Sequence, residues 1–82
     1  MRLYLSKRAN RELSKLPNLL AKTIETHIQN LSEHPYPTNC KKLQGEDNWR
    51  IRIGSFRVIY MIDTKRKEIT ILRVADRKTI YR

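Results

Sequence analysis

Cysteine occurs once, at Cys40, glycine twice, proline three times, and tryptophan and phenylalanine once each in 82 residues. A single cysteine excludes an internal disulfide and any zinc knuckle built on cysteines. Two glycines leave no Gly-rich loop to cradle a phosphate. Acid is scarce too: 8 Asp+Glu stand against 18 Lys+Arg, a formal net charge of +10. No run approaches the roughly 20 apolar residues of a membrane-spanning helix. Charged and polar residues from Arg2 through Arg8 interrupt the N-terminus before a signal-peptide-like apolar stretch can form. There is no Ser/His/Asp arrangement, and His27 and His34 share no ligand spacing with Cys40 or a carboxylate, so neither a metal nor a cofactor is expected. These absences leave one domain over residues 1–82, cytoplasmic and without a membrane segment. Its excess cations make a nucleic acid or an acidic protein the expected partner.

What is present is patterned. Leu3 and Leu5 alternate with Arg2 and Tyr4, which predicts a short strand over Met1–Leu5. Ser6 is placed to cap a helix over Lys7–Leu16, where Ala9, Leu13 and Leu16 fall at helical spacing. Pro17 stops that helix and Asn18 is read as the cap of the next. There Leu20, Ile24, Ile28 and Leu31 form an apolar stripe from Leu19 to about Ser32. So short a turn between two amphipathic helices predicts an antiparallel helical hairpin. Pro35 and Pro37 end the second helix, and residues 34–48 read as a loop carrying Lys41 and Lys42.

Beyond this loop the apolar period falls from four to two. Trp49, Ile51 and Ile53 alternate with Arg50 and Arg52, and after Gly54-Ser55 the alternation resumes as Phe56, Val58, Tyr60 and Ile62. A Gly-Ser pair between two such runs suits a type II′ hairpin with Gly at positive φ. The register then follows: Ile53 faces Phe56, Arg52 faces Arg57, Ile51 faces Val58 and Trp49 faces Tyr60. A third strand is predicted over Ile69–Ala75. The expected fold is therefore α+β, in the order β-α-α-β-β-β, an antiparallel sheet with the two-helix hairpin packed on one face.

The other face of the hairpin carries the chemistry. Arg50 and Arg52 share it, Arg57 stands across from Arg52, and neither strand has an acidic residue to offset them. Opposed like charges are destabilising, so three guanidiniums on rigid strands point to an anion site relieved when phosphate arrives. Arg77 follows the third strand and can converge on this face. Tyr81 reads as a hydrophobic anchor, a stacking platform for a base, or a proton-transfer group. His27 and His34 read as helix-packing or capping residues, Trp49 as core, and Glu46 and Asp47 as solvated turn residues.

Three stretches, Leu43-Gln44-Gly45, then Trp49-Arg-Ile-Arg-Ile-Gly-Ser-Phe-Arg-Val-Ile-Tyr60, then Val74-Ala-Asp-Arg-Lys-Thr-Ile-Tyr81, resemble the RelE/ParE superfamily of toxins from type II toxin–antitoxin modules. The resemblance covers almost the whole chain and is strongest toward the RelE-like mRNA interferases. It implies a ribosome-dependent endoribonuclease that needs no metal, cuts mRNA in the A site and halts translation. The ribose 2′-oxygen would attack the adjacent phosphate, leaving a 2′,3′-cyclic phosphate and a 5′-hydroxyl. The resemblance gives Arg50, Arg52, Arg57, Arg77 and Tyr81 catalytic counterparts, with Arg57 on the scissile phosphate. Lys41, Lys42 and Arg82 would contact RNA backbone. The implied partners are a cognate acidic antitoxin, the ribosome and mRNA, with the toxin a monomer alone or part of a heteromeric complex. A ParE-like action on DNA gyrase and a non-catalytic binding role are the alternatives on the same fold. Two positions depart from the pattern. Well-known RelE members carry lysines where this chain has Arg50 and Arg52, and other relatives carry histidine where it has Asp76. Arginine holds phosphate but stays protonated, so proton transfer would fall to Tyr81, Asp76 or an Arg–Tyr cluster.

Overall fold

The computed structural model describes residues 1–43 and 48–76. Its elements are β1 (Arg2–Leu5), α1 (Lys7–Ser14), α2 (Asn18–Glu33), β2 (Cys40–Lys42), β3 (Asn48–Ile53), β4 (Phe56–Asp63) and β5 (Glu68–Asp76). Ser6 caps α1 as expected: its backbone is extended and its Oγ accepts from the Ala9 N–H at 3.0 Å. The same hydroxyl donates to the Leu72 carbonyl at 3.0 Å, tying the start of the helix to β5. Asn18, expected as the cap of α2, is instead its first residue. Pro17 occupies the cap position with no side-chain bond, and its carbonyl accepts from the Ala21 N–H at 2.9 Å. The fixed φ of proline already suits the start of a helix, so no polar cap is needed to direct the chain there.

The five strands form one sheet in the order β1-β5-β4-β3-β2. The predicted hairpin is realised residue for residue: Ile53 pairs Phe56, Arg52 pairs Arg57, Ile51 pairs Val58 and Trp49 pairs Tyr60. Gly54 has φ +59, while Ser55 is not among the described residues of positive φ, as a type II′ turn requires. Two particulars differ from the sequence expectation. Cys40–Lys42, read as loop, is a short edge strand paired antiparallel with β3, and β1 runs parallel to β5. No local periodicity marks a three-residue strand; β3 presents an open edge and supplies the partner. The chain reaches β5 from β1 through both helices and three further strands. No tight turn therefore enforces antiparallel pairing between them.

The core lies between the sheet and the helical hairpin. Ala9 and Leu13 of α1 and Ile24, Ile28 and Leu31 of α2 pack on Ile51, Ile53, Val58, Tyr60, Ile62, Ile69, Ile71 and Val74. A bulge offsets β4 and β5: Ile59 pairs Arg73 but Tyr60 pairs Ile71, leaving Leu72 as the extra residue. Past this point β5 outruns β1, which ends at Leu5, and α1 supplies the missing partners. Glu12 accepts from the Val74 N–H and from the Arg73 guanidinium, each at 2.9 Å. Beside the bulge, the buried Tyr60 hydroxyl donates to the Pro35 carbonyl at 2.9 Å, pinning the segment between α2 and β2. Burial, with Cys40 beside it, holds this phenol well above the usual tyrosine range, so it stays a donor.

Candidate functional site

Strand alternation turns the odd residues of β3 and the even residues of β4 toward the helices. Arg50, Arg52 and Arg57 therefore go to the opposite face. On β2 the partner of Arg50 is Lys41, which joins them. These four cations and Asn39 line a cleft of about 170 Å³. No carboxylate stands among the described residues that line it. The strands hold all four charges without a flexible loop, so a phosphate would meet a site already arranged.

The cations differ in depth. Arg52 is exposed and Arg50 half-buried, whereas Arg57 is only 5% exposed despite its guanidinium. Its neighbour across β5 is Ala75, which adds a single methyl to that row of the sheet. A guanidinium carries five N–H donors in a fixed plane. Its planar fork of donors matches two phosphate oxygens at once. Asn39, which nothing in the sequence singled out, donates from Nδ2 to the Arg52 carbonyl at 3.1 Å. It thereby fixes the mouth of the cleft to the end of β3. Its only advance sign is its place in a proline-bounded turn.

Lys42 does not join this cluster. It is the next residue on β2, so its side chain passes to the helix-side face, where Nζ lies 6.0 Å from the Trp49 ring centroid. Trp49 is half-buried against the core, as expected, and meets Tyr36 edge to face at 4.9 Å. His27 and His34 are exposed on α2 and at its C-terminal cap, and neither packs in the core. Arg77, Tyr81 and Arg82 lie outside the described residues, as do Gln44, Gly45, Glu46 and Asp47. Among the described residues no group of three or more His, Cys, Asp or Glu side chains could hold a metal ion. No described helix is long and apolar enough to cross a membrane.

The sequence and the fold both have counterparts among known proteins. The family described as the ParE toxin of type II toxin–antitoxin system, parDE, matches residues 3–81. The toxin RelG of Mycobacterium tuberculosis is 38% identical over 77 residues, which are 90% of this chain and 87% of that protein. The putative toxin RelE1 of Methanocaldococcus jannaschii is 32% identical over 80 residues, 93% of this chain and 89% of that protein. Among solved structures, a chain of the archaeal RelE–RelB complex of Pyrococcus horikoshii superposes with a TM-score of 0.83 at 30% identity, covering 93% of each chain. A chain of the RelBE2 toxin–antitoxin complex of Mycobacterium tuberculosis gives 0.81 at 28%, covering 92% of this chain and 95% of that one. Family match, identity and fold converge: the chain belongs to the RelE/ParE superfamily of type II toxin–antitoxin toxins.

Proposed function

We propose that this toxin is an endoribonuclease that cuts mRNA on the ribosome and is held inactive by an acidic antitoxin. The observation that carries the reading is the cleft of Lys41, Arg50, Arg52 and Arg57, with no carboxylate among its described lining. Cleavage of this kind needs charge stabilisation more than anything else. The ribose 2′-oxygen loses its proton and attacks phosphorus, the bond from phosphorus to the 5′-oxygen breaks, and that oxygen takes up a proton. The products are a 2′,3′-cyclic phosphate and a 5′-hydroxyl. As the phosphorane forms, negative charge grows on its non-bridging oxygens, where Arg57 donates two parallel hydrogen bonds. Arg50 and Arg52 neutralise the same group and orient the strand, and Lys41 holds a flanking phosphate. Arginine is a poor base, so proton transfer falls to Tyr81, Asp76 or an Arg–Tyr cluster, with Arg77 a further cation for the phosphate.

A net charge of +10 on so small a body explains the partner. An acidic antitoxin relieves the self-repulsion and stabilises the fold by mass action while it covers the cleft. The relatives solved as RelE–RelB complexes support this pairing. The cytoplasm follows from a ribosomal target. A second reading, ParE-like action on DNA gyrase, is favoured by the description of the matched family. A gyrase-directed toxin, however, would not require a cradle for a single phosphate. Primer extension on an mRNA translated with purified ribosomes separates the readings. Cuts within codons that appear only with ribosomes support the interferase. Intact mRNA together with inhibited supercoiling by purified gyrase supports the alternative.

A further inference from the structure

Past the open end of the hairpin, beside Trp49, lies a second groove that the cleavage site does not use. It is about 390 Å³ and is lined by Tyr36, Lys42, Trp49, Met61, Asp63 and Lys65 among others. Tyr36 is 51% exposed, more than its half-buried partner, and meets Trp49 edge to face at an interplanar angle of 67°. That geometry leaves a face of the tyrosine open. The segment that bears it is held at both ends, by Tyr60 on the Pro35 carbonyl and by Asn39 on the Arg52 carbonyl. Lys42 sits over Trp49 on one side of the groove. On the other, Asp63 Oδ1 accepts from the Lys65 and Arg66 N–H groups at 3.1 and 3.0 Å. These bonds fix the turn that presents Lys65 and draw the carboxylate toward its own backbone.

We propose that this groove is a second nucleotide subsite, where a base of single-stranded RNA stacks on Tyr36 while Lys42 and Lys65 hold its flanking phosphates. The occupant follows from the chemistry. An aromatic face between two lysines is the pattern by which proteins hold single strands without reading sequence. The two sites are connected by β2. It is the outer edge strand of the sheet, and its adjacent lysines point to opposite faces, Lys41 into the arginine cleft and Lys42 into the groove. An RNA strand leaving the cleft can therefore cross the β2 edge along a continuous line of positive charge. The subsite rests on the reading that RNA is the ligand, and it requires no cleavage.

Trp49 is the sole tryptophan, so its emission reports this groove directly. The test titrates the toxin with a short single-stranded oligoadenylate, following Trp49 fluorescence and the anisotropy of end-labelled RNA. The expected result is a change in Trp49 emission that saturates with binding. Tyr36→Ala should raise Kd by about 5- to 140-fold, the range for losing one stacked base. Tyr36→Phe, which keeps the ring, should bind as the parent does. Unchanged affinity in Tyr36→Ala, or a silent Trp49 while anisotropy saturates, would overturn the subsite. So would an equal emission change with base-free inorganic polyphosphate, which would reduce the groove to a charged surface. An acidic antitoxin peptide that moves Trp49 emission where RNA does not would give the groove to the protein partner instead. Ribosome-dependent cleavage with a silent Trp49 removes the subsite alone. A Tyr36-dependent emission change without any cleavage leaves the subsite standing and removes the interferase reading.

Discussion

Two groups of arginines on the same sheet have opposite surroundings. Arg73 of β5 meets Glu12 at 2.9 Å, and that carboxylate also takes the Val74 N–H. Arg50, Arg52 and Arg57 line a cleft with Lys41, and no acid stands among its described lining. Arg73 and Glu12 are both mostly buried, with side chains 24% and 21% exposed. This guanidinium holds Glu12 against a stretch of strand edge that β1 does not reach, which is a structural task. The cleft places like charges opposite each other across β3 and β4. Opposed like charges cost stability, and a bound anion relieves that cost. Arg73 is tied to a carboxylate that also satisfies a strand edge, whereas the cleft gathers four cations and an amide on one face of the sheet.

The largest effect should come from Arg57→Lys. It keeps the charge and removes the planar fork, and a cleavage rate about 100-fold lower or worse is expected, as for losing one preorganised donor to a developing oxyanion. Single-turnover cleavage on programmed ribosomes measures it, and a rate near the parent's would reduce the cleft to a generic cationic surface. Next comes Glu12→Ala, which strands Arg73 and the Val74 N–H together. A loss of about 1.5–3 kcal/mol in urea unfolding is expected, the range for hydrogen bonds to a charged group. A loss no greater than that of an exposed substitution would dissolve the contrast between the two arginine groups.

The hairpin was legible because each constraint on it is local. Alternation at Trp49, Ile51 and Ile53, a Gly-Ser turn and a second alternation define one register, and Arg52 opposite Arg57 follows without further information. Ser6 could be read as a cap for the same reason. What escaped the sequence depends on pairs distant in the chain. Glu12 and Arg73 are 61 residues apart, and β1 finds β5 across both helices. The strand at Cys40–Lys42 exists because β3 has an edge to offer, not because its residues alternate. That short strand has a consequence for the site. It divides the lysine pair, sending Lys41 to the arginines and Lys42 to Trp49, where the sequence had grouped them.

A smaller effect belongs to the apolar side. Tyr60 is held protonated by burial, so its contribution to stability is complete below the unfolded-state pKa of about 10. It is lost as pH rises beyond that, because the unfolded chain then releases a proton that the folded chain keeps. Tyr60→Phe should flatten this alkaline decline and cost about 0.5–1.5 kcal/mol at neutral pH for the lost bond to the Pro35 carbonyl. Stability curves of both proteins from pH 7 to 11 check this; parallel alkaline declines would show that another group is responsible. The smallest effect should be a gain. Arg52→Thr removes one member of the opposed pair and should raise stability by about 0.2–1 kcal/mol at low salt. The gain should shrink as salt screens the remaining charges. Thermal unfolding at two ionic strengths measures it, and a destabilised variant would mean that Arg52 serves the fold as Arg73 does.

A division of labour between Arg73 and the cleft arginines is tested by one paired assay. Arg57→Ala and Arg73→Ala are compared in primer extension on an mRNA translated in vitro, at a temperature where circular dichroism shows both folded. Arg57→Ala should abolish ribosome-dependent cuts while Arg73→Ala, though less stable, should still make them at the same codon positions. Undiminished cutting by Arg57→Ala, or loss of cutting confined to Arg73→Ala, would contradict it.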